Sequence, residues 1–278
     1  MVLMISVGAS FLMGESLVWF EAVFLGVIAF CIWSAADAMN NIFDVDLDVL
    51  SDPFRAEFTK KLGKLGLFIA MFFTALSLLL GAFTMTPYVV LFIVVGIMFG
   101  VLYSVPPFRL RKTAYKPVVN FTVGAVPVLI VAAFFNQFTI NITALVLLIG
   151  VTTAVNSLWE DLADYASDSS SGSRTIPVIL GYKRGLIFTV AMGYALIPLM
   201  VLVGALFQLG LTYYFTLAAL SAFVTLRVIQ KRNTLLKNGG DEKQLFKLGE
   251  TLSKDFVVIA IVFTLSLMLS SLLKIAVA

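Results

Sequence analysis

The sequence has no histidine, a single cysteine and few charged residues, and each shortage removes a class of protein. Without histidine, a Ser-His catalytic triad and a histidine-ligated metal or haem are excluded. With Cys31 alone, the 278-residue chain can form neither an internal disulfide nor a thiolate cluster for zinc or iron–sulfur. Only 13% of the residues are charged and 60% are hydrophobic, whereas a soluble domain carries about 25% charged residues. The composition predicts a membrane protein whose chemistry depends on oxygen, amine and guanidinium groups.

Long uncharged stretches set the number of membrane spans. The stretches 65–108, 117–159 and 185–226 contain no charged residue, and each is about twice the length of roughly 20 residues that one membrane helix needs. Turn or helix-breaking residues near each midpoint indicate a helical hairpin. These midpoints are Thr84–Pro87, Asn136–Gln137 and Gln208–Gly210.

Three further apolar segments complete the predicted bundle. Residues 16–39 and 256–273 give one span each, and 1–14 gives a short one. Since 1–14 lacks the basic start of a signal peptide, we expect a first helix that is missing its natural N-terminal residues. The prediction is an all-α polytopic membrane protein, with nine transmembrane helices in a bundle whose central cavity opens to a cytoplasmic cap.

The loops divide the charge unequally between the two faces of this bundle. Every lysine and arginine except Lys274 lies in one of four loops that alternate with the uncharged turns. The loops are 40–64, 106–116, 160–184 and 227–255. By the positive-inside rule their common face is cytoplasmic. The similar order of acidic stretch, hairpin and basic loop predicts one domain over 1–278, with pseudo-repeat halves 1–116 and 117–255 and a ninth helix at 256–273.

The first acidic motif lies at the end of the second predicted span. In a helix, residues spaced by three, four and seven share one face. The side chains with this spacing are Asn40, Asn41, Asp44 and Asp48. Asp37, one turn earlier, extends that face into the span.

The second acidic motif lies 120 residues later in the chain, at the end of the sixth predicted span. Glu160, Asp164 and Asp168 repeat every four residues, and Asp161 precedes Asp164 by three. A solvated helix end is the ordinary explanation for such a cluster. However, like charges one turn apart repel each other, and both motifs begin within or beside apolar spans, where ionisable groups are costly. Two such stacks in one chain favour a functional site.

Stacked carboxylates are hard oxygen ligands, the kind that Mg²⁺ prefers together with substrate phosphates and water. The motifs therefore predict a metal-bridged phosphate or diphosphate between two helices. Basic residues follow each motif or crowd the third loop, and they can bind phosphate oxygens. They are Arg55, Arg109, Arg111, Lys112, Lys116 and Arg174. The alternative for any of these cations is contact with anionic lipid.

The motifs, in this order, resemble those of the UbiA superfamily of intramembrane prenyltransferases. The first motif matches the pattern N-D-x-x-D-x-x-x-D, except that Asn41 stands where Asp is usual. The second matches D-x-x-x-D-x-x-x-G followed by a basic residue and Thr, and 103–111 resembles the segment Y-S-x-P-P-x-R-L-K. The positions that match the second motif are Asp164, Asp168, Gly172, Arg174 and Thr175. The resemblance covers essentially the whole chain.

This resemblance implies Mg-dependent transfer of an isoprenyl chain from a prenyl diphosphate, for which geranylgeranyl diphosphate is our guess. The acceptor would be a small lipophilic molecule, either an aromatic quinone precursor or a prenylglyceryl phosphate. The partners expected are these substrates and the lipid bilayer, with no nucleic acid. Chain length and acceptor stay open at this stage.

The resemblance also implies roles for individual residues. Two Mg²⁺ ions are expected, one at Asn41, Asp44 and Asp48 and one at Asp164 and Asp168. Asp161 and Asp164 are the expected catalytic residues, Asp161 as a metal ligand or as a base for the acceptor. Residues expected to bind substrate are Asn40, Arg55, Tyr103, Lys112, Lys116, Asn120 and Arg174. Asn120 has the alternative of a hydrogen bond between helices.

A secondary transporter is the main alternative to an enzyme. Transporters also use acidic residues within the membrane and internal repeats, but they place their sites near the midplane, on broken helices. Here the acids lie at one mouth of the predicted bundle, which favours the enzyme.

Overall fold

The computed structural model describes residues 2–14, 18–45, 53–237 and 242–277. This part of the chain is all-α, with twelve α-helices, one 3-10 turn and no β-strand. The elements are α1 (Val2–Met13), α2 (Trp19–Phe43), α3 (Pro53–Leu62), α4 (Lys64–Phe83), α5 (Pro87–Ser104), the 3-10 turn Leu110–Lys112, α6 (Lys116–Phe134), α7 (Ile140–Ala163), α8 (Tyr165–Ser170), α9 (Ile176–Leu180), α10 (Tyr182–Leu206), α11 (Leu211–Lys237) and α12 (Glu242–Val277).

The membrane helices agree closely with the predicted spans. Among the described residues, eight helices are long and apolar enough to cross a membrane: α2, α4, α5, α6, α7, α10, α11 and α12. The short apolar helix α1 is the ninth element of the bundle. The predicted ninth span, 256–273, lies inside the longer helix α12, which begins at Glu242 without a break before the span. The count of nine therefore holds only if α1, with 12 residues, is included.

All three predicted hairpin turns are confirmed. Helices α4 and α5, α6 and α7, and α10 and α11 are each joined by a short turn in the middle of an uncharged stretch. Each turn contains one non-glycine residue with positive φ, namely Met85 at 54°, Asn136 at 50° and Gln208 at 53°. This left-handed conformation is sparsely populated in L-residues, and it lets the chain reverse direction within a few residues. The hairpins fix the uncharged turns at one end of the bundle and the charged loops at the other.

Polar side chains at the turn end cap helices. Lys274 Nζ donates to the Phe207 carbonyl at 2.9 Å, and Asn141 Nδ2 donates to the Leu206 carbonyl at 3.1 Å. Gln137 Nε2 donates at 2.9 Å to the carbonyl of the last residue of α1. The last four carbonyls of a helix have no partner within that helix, so such caps stabilise its end. Lys274, the exception to the charge pattern, therefore has a structural role.

Helices α6 and α7 pack closely against each other. Gly124 of α6 faces Thr153 of α7 so closely that a Cβ on the glycine would lie 2.2 Å from Thr153 Oγ1 and 2.9 Å from the Ile149 carbonyl oxygen. Thr153 Oγ1 also donates to the Asn120 carbonyl at 2.8 Å. Small residues that let two membrane helices approach are a common means of association. This contact fixes the register of α6 against α7, and with it the charged end of both helices.

We expect Gly124→Ala to destabilise the bundle, because the added methyl group meets a side chain and a main-chain oxygen that cannot both move away. Overpacking of this kind costs about 1–3 kcal/mol. Gly193→Ala on α10 is the matched control, since a Cβ there meets nothing within 4 Å. The measurement is the free energy of unfolding in mixed detergent micelles. Equal stability of the two variants would contradict the packing argument.

Candidate active site

The end of α2 presents the first acidic motif to the loop that follows α5. Asp44 is fully buried, and its carboxylate is ion-paired with the guanidinium group of Arg111. Arg111 Nη1 also donates to Asn40 Oδ1 at 3.1 Å, and Ser104 Oγ donates to the same oxygen at 3.1 Å. A second guanidinium, that of Arg109, lies 3.5 Å from Asp44 Oδ1. Asp44 and Asn40 therefore bind arginine in this structure.

The other members of the first motif are only partly described. Asn41 Nδ2 donates to Asp37 Oδ2 at 3.3 Å, one turn back along α2. Asp48 lies outside the described residues. Arg55 lies in α3, and its side chain is also outside the described part of the structure.

The second motif is built around a buried ion pair between α6 and α7. Lys116 Nζ lies 2.6 Å from Asp161 Oδ1 and 3.5 Å from Glu160 Oε2. The side chain of Asp161 is 1% exposed and that of Lys116 is 9% exposed. The second oxygen of Asp161, Oδ2, is buried and has no hydrogen-bond partner within the described ranges. That oxygen is an acceptor which a cation or a proton would satisfy.

The remaining two carboxylates lie beyond the end of α7, where the helix breaks and continues as α8. Asp164 caps α7 and is exposed at the charged end of the bundle, which we call the mouth. Asp168 on α8 is half-buried. Thr175 Oγ1 donates to Asp168 Oδ2 at 3.3 Å. Burial raises the pKa of Asp168, although Lys116 and the hydroxyl groups of Ser173 and Thr175 oppose the rise. Asp168 is therefore held in place by neighbours that favour its charged form.

Main-chain contacts join the two loops that carry the cations. The Arg174 amide donates to the Lys112 carbonyl at 2.8 Å, and Thr113 and Arg174 form an isolated parallel β-bridge. The bridge brings Lys112 and Arg174, both predicted substrate-binding residues, to the same rim. Arg174 is exposed there.

Arg111 and Tyr103 connect the two motifs. The charge of Arg111 acts on both Asp164 and Asp168 of the second motif, while its guanidinium is bonded to Asp44 of the first. The Tyr103 side chain lies within electrostatic range of Arg111, Lys116 and both acids at the end of α7. Arg111 therefore contacts the first motif and acts electrostatically on the second. Our assignment of substrate-binding residues from the sequence left it out together with Arg109. The signal was present in the crowding of basic residues after α5.

Asn120, one of the predicted substrate-binding residues, has a hydrogen-bond partner within its own helix. Its Nδ2 donates to the Lys116 carbonyl at 3.2 Å within α6, and its own carbonyl accepts the bond from Thr153 of α7. The predicted hydrogen bond between helices exists, but through the main chain of Asn120. Among the described residues, the side chain of Asn120 bonds only within α6.

The oxygen ligands of the second motif fit a divalent ion. No group of three or more acidic or thiol side chains is close enough to hold a metal by itself within the described part of the chain. Mg²⁺ does not require such a group, since it is usually bound by one or two carboxylates together with substrate phosphates and water. Asp164 and Asp168 provide that minimum, and the unsatisfied oxygen of Asp161 belongs to the last turn of α7, just before them in the chain.

Comparison with known proteins identifies the family of the chain. The model of the UbiA prenyltransferase family matches residues 1–241. The chain belongs to this family. The resemblance inferred from the motifs is thus confirmed, and membership favours an enzyme over a transporter.

Relatives and solved structures agree with membership of the UbiA family. The chain is 24% identical over 184 residues to the digeranylgeranylglyceryl phosphate synthase of Methanococcoides burtonii, a match that covers 64% of this chain and 63%, less than two thirds, of that protein. A UbiA homolog from Archaeoglobus fulgidus bound to GPP and Mg²⁺ matches with a TM-score of 0.66 and 18% identity, over 95% of this chain and 94% of that one. The apo UbiA homolog from Aeropyrum pernix K1 matches with a TM-score of 0.63 and 16% identity, over 92% and 96%. These likenesses confirm the fold of an integral, multi-pass membrane bundle.

We expect Lys116→Met to be strongly destabilising in this UbiA-family protein, because it leaves the buried Asp161 carboxylate without its counter-charge. Breaking a buried ion pair from one side costs about 3–5 kcal/mol. Adding Asp161→Leu to Lys116→Met removes the stranded charge and should recover most of the loss. The free energy of unfolding in mixed micelles measures both effects.

Lys61→Met is the matched control for this prediction. Lys61 pairs with Glu57 at 2.8 Å, but both side chains are more than 60% exposed, and such pairs contribute little. A similar loss for Lys61→Met and Lys116→Met would show that burial of the Lys116 pair is not what stabilises the site.

Proposed function

We propose that the chain transfers a prenyl group from a prenyl diphosphate to a small lipophilic acceptor, with Mg²⁺ as cofactor. The observation that carries the proposal is the meeting of both acidic motifs with Arg111 at one end of a membrane bundle. Such a site binds a polyanion at the surface of an apolar interior. A prenyl diphosphate has the matching form, with a charged head and a long hydrocarbon tail.

The solved relatives support the donor and the metal. One UbiA homolog from Archaeoglobus fulgidus is bound to GPP and Mg²⁺, and another structure of that homolog is bound to DMAPP and Mg²⁺. Both ligands are prenyl diphosphates. In this chain Asp164 and Asp168 would hold the ion, with Asp161 Oδ2 behind them.

The charged residues of the mouth would bind the diphosphate and stabilise it as a leaving group. Bound Mg²⁺ supplies positive charge that stabilises the departing diphosphate. Arg111, Lys112 and Arg174 would orient its oxygens, for which guanidinium groups are well suited. Lys116 would keep Asp161 charged and fixed rather than bind substrate directly, since its amine already lies between two carboxylates.

The chemical step breaks the bond between the first carbon of the prenyl group and the diphosphate oxygen. The electron pair leaves with the diphosphate, and the allylic carbon is attacked by the acceptor, which then loses a proton. Water would compete for an allylic cation, so an apolar interior that excludes water favours transfer. Tyr103, at the boundary between the mouth and that interior, would place an aromatic ring near the cation. Asp161 Oδ2 is the proposed acceptor of the proton when it is not bound to the ion.

The orientation and the acceptor are also part of the proposal. The positive-inside rule favours a cytoplasmic mouth. Of the two acceptor classes expected from the sequence, the prenylglyceryl phosphate has the support of a relative, the digeranylgeranylglyceryl phosphate synthase of Methanococcoides burtonii. We therefore propose a geranylgeranyl donor and a prenylglyceryl phosphate acceptor.

The test is transfer of radiolabelled geranylgeranyl diphosphate by the purified protein to geranylgeranylglyceryl phosphate or to 4-hydroxybenzoate, with Mg²⁺ or with EDTA. We expect Mg-dependent product with the glyceryl phosphate, and a loss of about 100-fold in kcat/KM for Asp164→Asn and for Asp168→Asn, because each removes charge from the site. Glu21→Gln at the start of α2 is the control variant, because it removes a carboxylate and keeps the shape of the side chain. Full activity in both aspartate variants, or equal activity in EDTA, would refute the proposal. Product with 4-hydroxybenzoate alone would refute only the acceptor.

A further inference from the structure

Asn156 is a half-buried polar side chain in the apolar span of α7, and it belongs to neither acidic motif. Its Nδ2 donates to Glu160 Oε1, one turn later in the helix, at 2.8 Å. An ionised carboxylate can only accept, so the amide nitrogen must face Glu160 and the amide oxygen, Oδ1, must face away from it. Within the described ranges Oδ1 has no hydrogen-bond partner. Asn156 therefore offers an acceptor whose orientation is fixed.

The position of Asn156 on α7 directs this acceptor into the bundle. Leu147 of the same helix is 43% exposed. Asn156 follows Leu147 by nine residues, which is two and a half turns, so the two side chains lie on opposite faces of α7. Glu160 lies 3.5 Å from Lys116 Nζ of α6 and within electrostatic range of Tyr103 of α5. The face of α7 that carries Asn156 and Glu160 is therefore turned toward α5 and α6.

The depth of Asn156 suits the acceptor better than the diphosphate. Asn156 precedes Asp164 by eight residues, so it lies about 12 Å farther from the mouth along the axis of α7. A diphosphate bound at Asp164 and Asp168 would direct the first carbon of its prenyl group toward the apolar interior. The attacking oxygen of the acceptor must approach within about 3–3.5 Å of that carbon. A polar group below the carboxylates is therefore placed where the acceptor would bind.

The buried ion pair holds Asn156 in this orientation. Glu160 accepts from Asn156 through one oxygen, and its other oxygen lies 3.5 Å from Lys116 Nζ. Lys116 Nζ in turn lies 2.6 Å from Asp161 Oδ1. A side chain fixed by its neighbours loses little conformational freedom when a ligand binds, and this favours affinity.

Asn120 is a second amide at a similar depth, on α6. Its carbonyl accepts from Thr153, which lies three residues before Asn156 on α7. However, its Nδ2 donates to a neutral main-chain carbonyl of its own helix at 3.2 Å, whereas the amide of Asn156 donates to a carboxylate. Hydrogen bonds to charged groups are about twice as strong as those between neutral groups. Asn156 is therefore the more firmly oriented of the two amides.

We propose that Asn156 Oδ1 accepts a hydrogen bond from the free hydroxyl of the acceptor, and so selects a lipid alcohol over a similar molecule that lacks this group. The inference rests on the proposed function, since it names the residue that recognises the acceptor of that reaction. The hydrogen bond holds the hydroxyl oxygen beside the allylic carbon. An amide oxygen is a weak base, so the proton released on transfer passes to a carboxylate and not to Asn156.

The test compares the binding of two acceptors rather than their turnover. Purified full-length protein is saturated with Mg²⁺ and geranylgeranyl thiolodiphosphate, a donor analogue that resists cleavage. Tritiated geranylgeranylglyceryl phosphate is then bound and displaced by the same molecule with hydrogen in place of its free hydroxyl. We expect the wild type to bind the hydroxyl form about tenfold more tightly, as for one hydrogen bond between neutral groups.

Asn156→Leu should bind the two acceptors equally, because leucine has a similar size and no hydrogen-bonding group. Its Kd for the donor analogue should equal that of the wild type. Asn233→Leu is the matched control, since Asn233 is exposed on α11 beyond the apolar span, and it should keep the tenfold preference. Equal binding together with a weakened donor analogue in Asn156→Leu would show a general disturbance of the site and would contradict the inference.

Three other results would overturn the inference, and they are distinguishable. A preference that persists in Asn156→Leu, or one that is lost only in Asn120→Leu, would show that another group binds the hydroxyl and would leave the proposed function intact. Equal binding of the two acceptors by the wild type would show that the hydroxyl is not recognised, a result that depends on the folding of no variant. No binding of either acceptor to the wild type would refute the prenylglyceryl phosphate acceptor of the proposed function, and the inference with it.

Discussion

The charged end of this bundle depends on one constraint, that a carboxylate at the end of a membrane helix needs a counter-charge from another helix or loop. Asp161 meets it through Lys116 at 2.6 Å, and Asp44 meets it through Arg111. Arg111 lies in the segment between α5 and α6 and Lys116 is the first residue of α6, whereas each acid lies at the end of a different helix. Because a buried charge left alone is so costly, these pairs bring the ends of α2, α6 and α7 together. The charged end of the bundle is a consequence of that pairing.

The opposite end of the bundle solves a simpler problem. Its helix ends expose carbonyl groups rather than carboxylates, and neutral amides with one lysine are enough to cap them. Gln137 and Asn141 donate to the last carbonyls of α1 and α10, and Lys274 donates to the Phe207 carbonyl just past α10. The two ends of the bundle therefore differ, with paired charges at one end and neutral helix caps with one lysine at the other.

Local patterns predicted the parts of the molecule that depend on neighbours in sequence. The hairpin turns follow from breakers such as Asn136 within uncharged stretches, and the stacked acids follow from a spacing of four residues in a helix. The pairing of Arg111 with Asp44 spans 67 residues, and a main-chain bond joins Lys112 to Arg174. Such contacts depend on how loops fold over helix ends, which residue spacing does not record. For that reason the composition of the site was predictable, but the choice of Lys116 as an internal counter-ion was not.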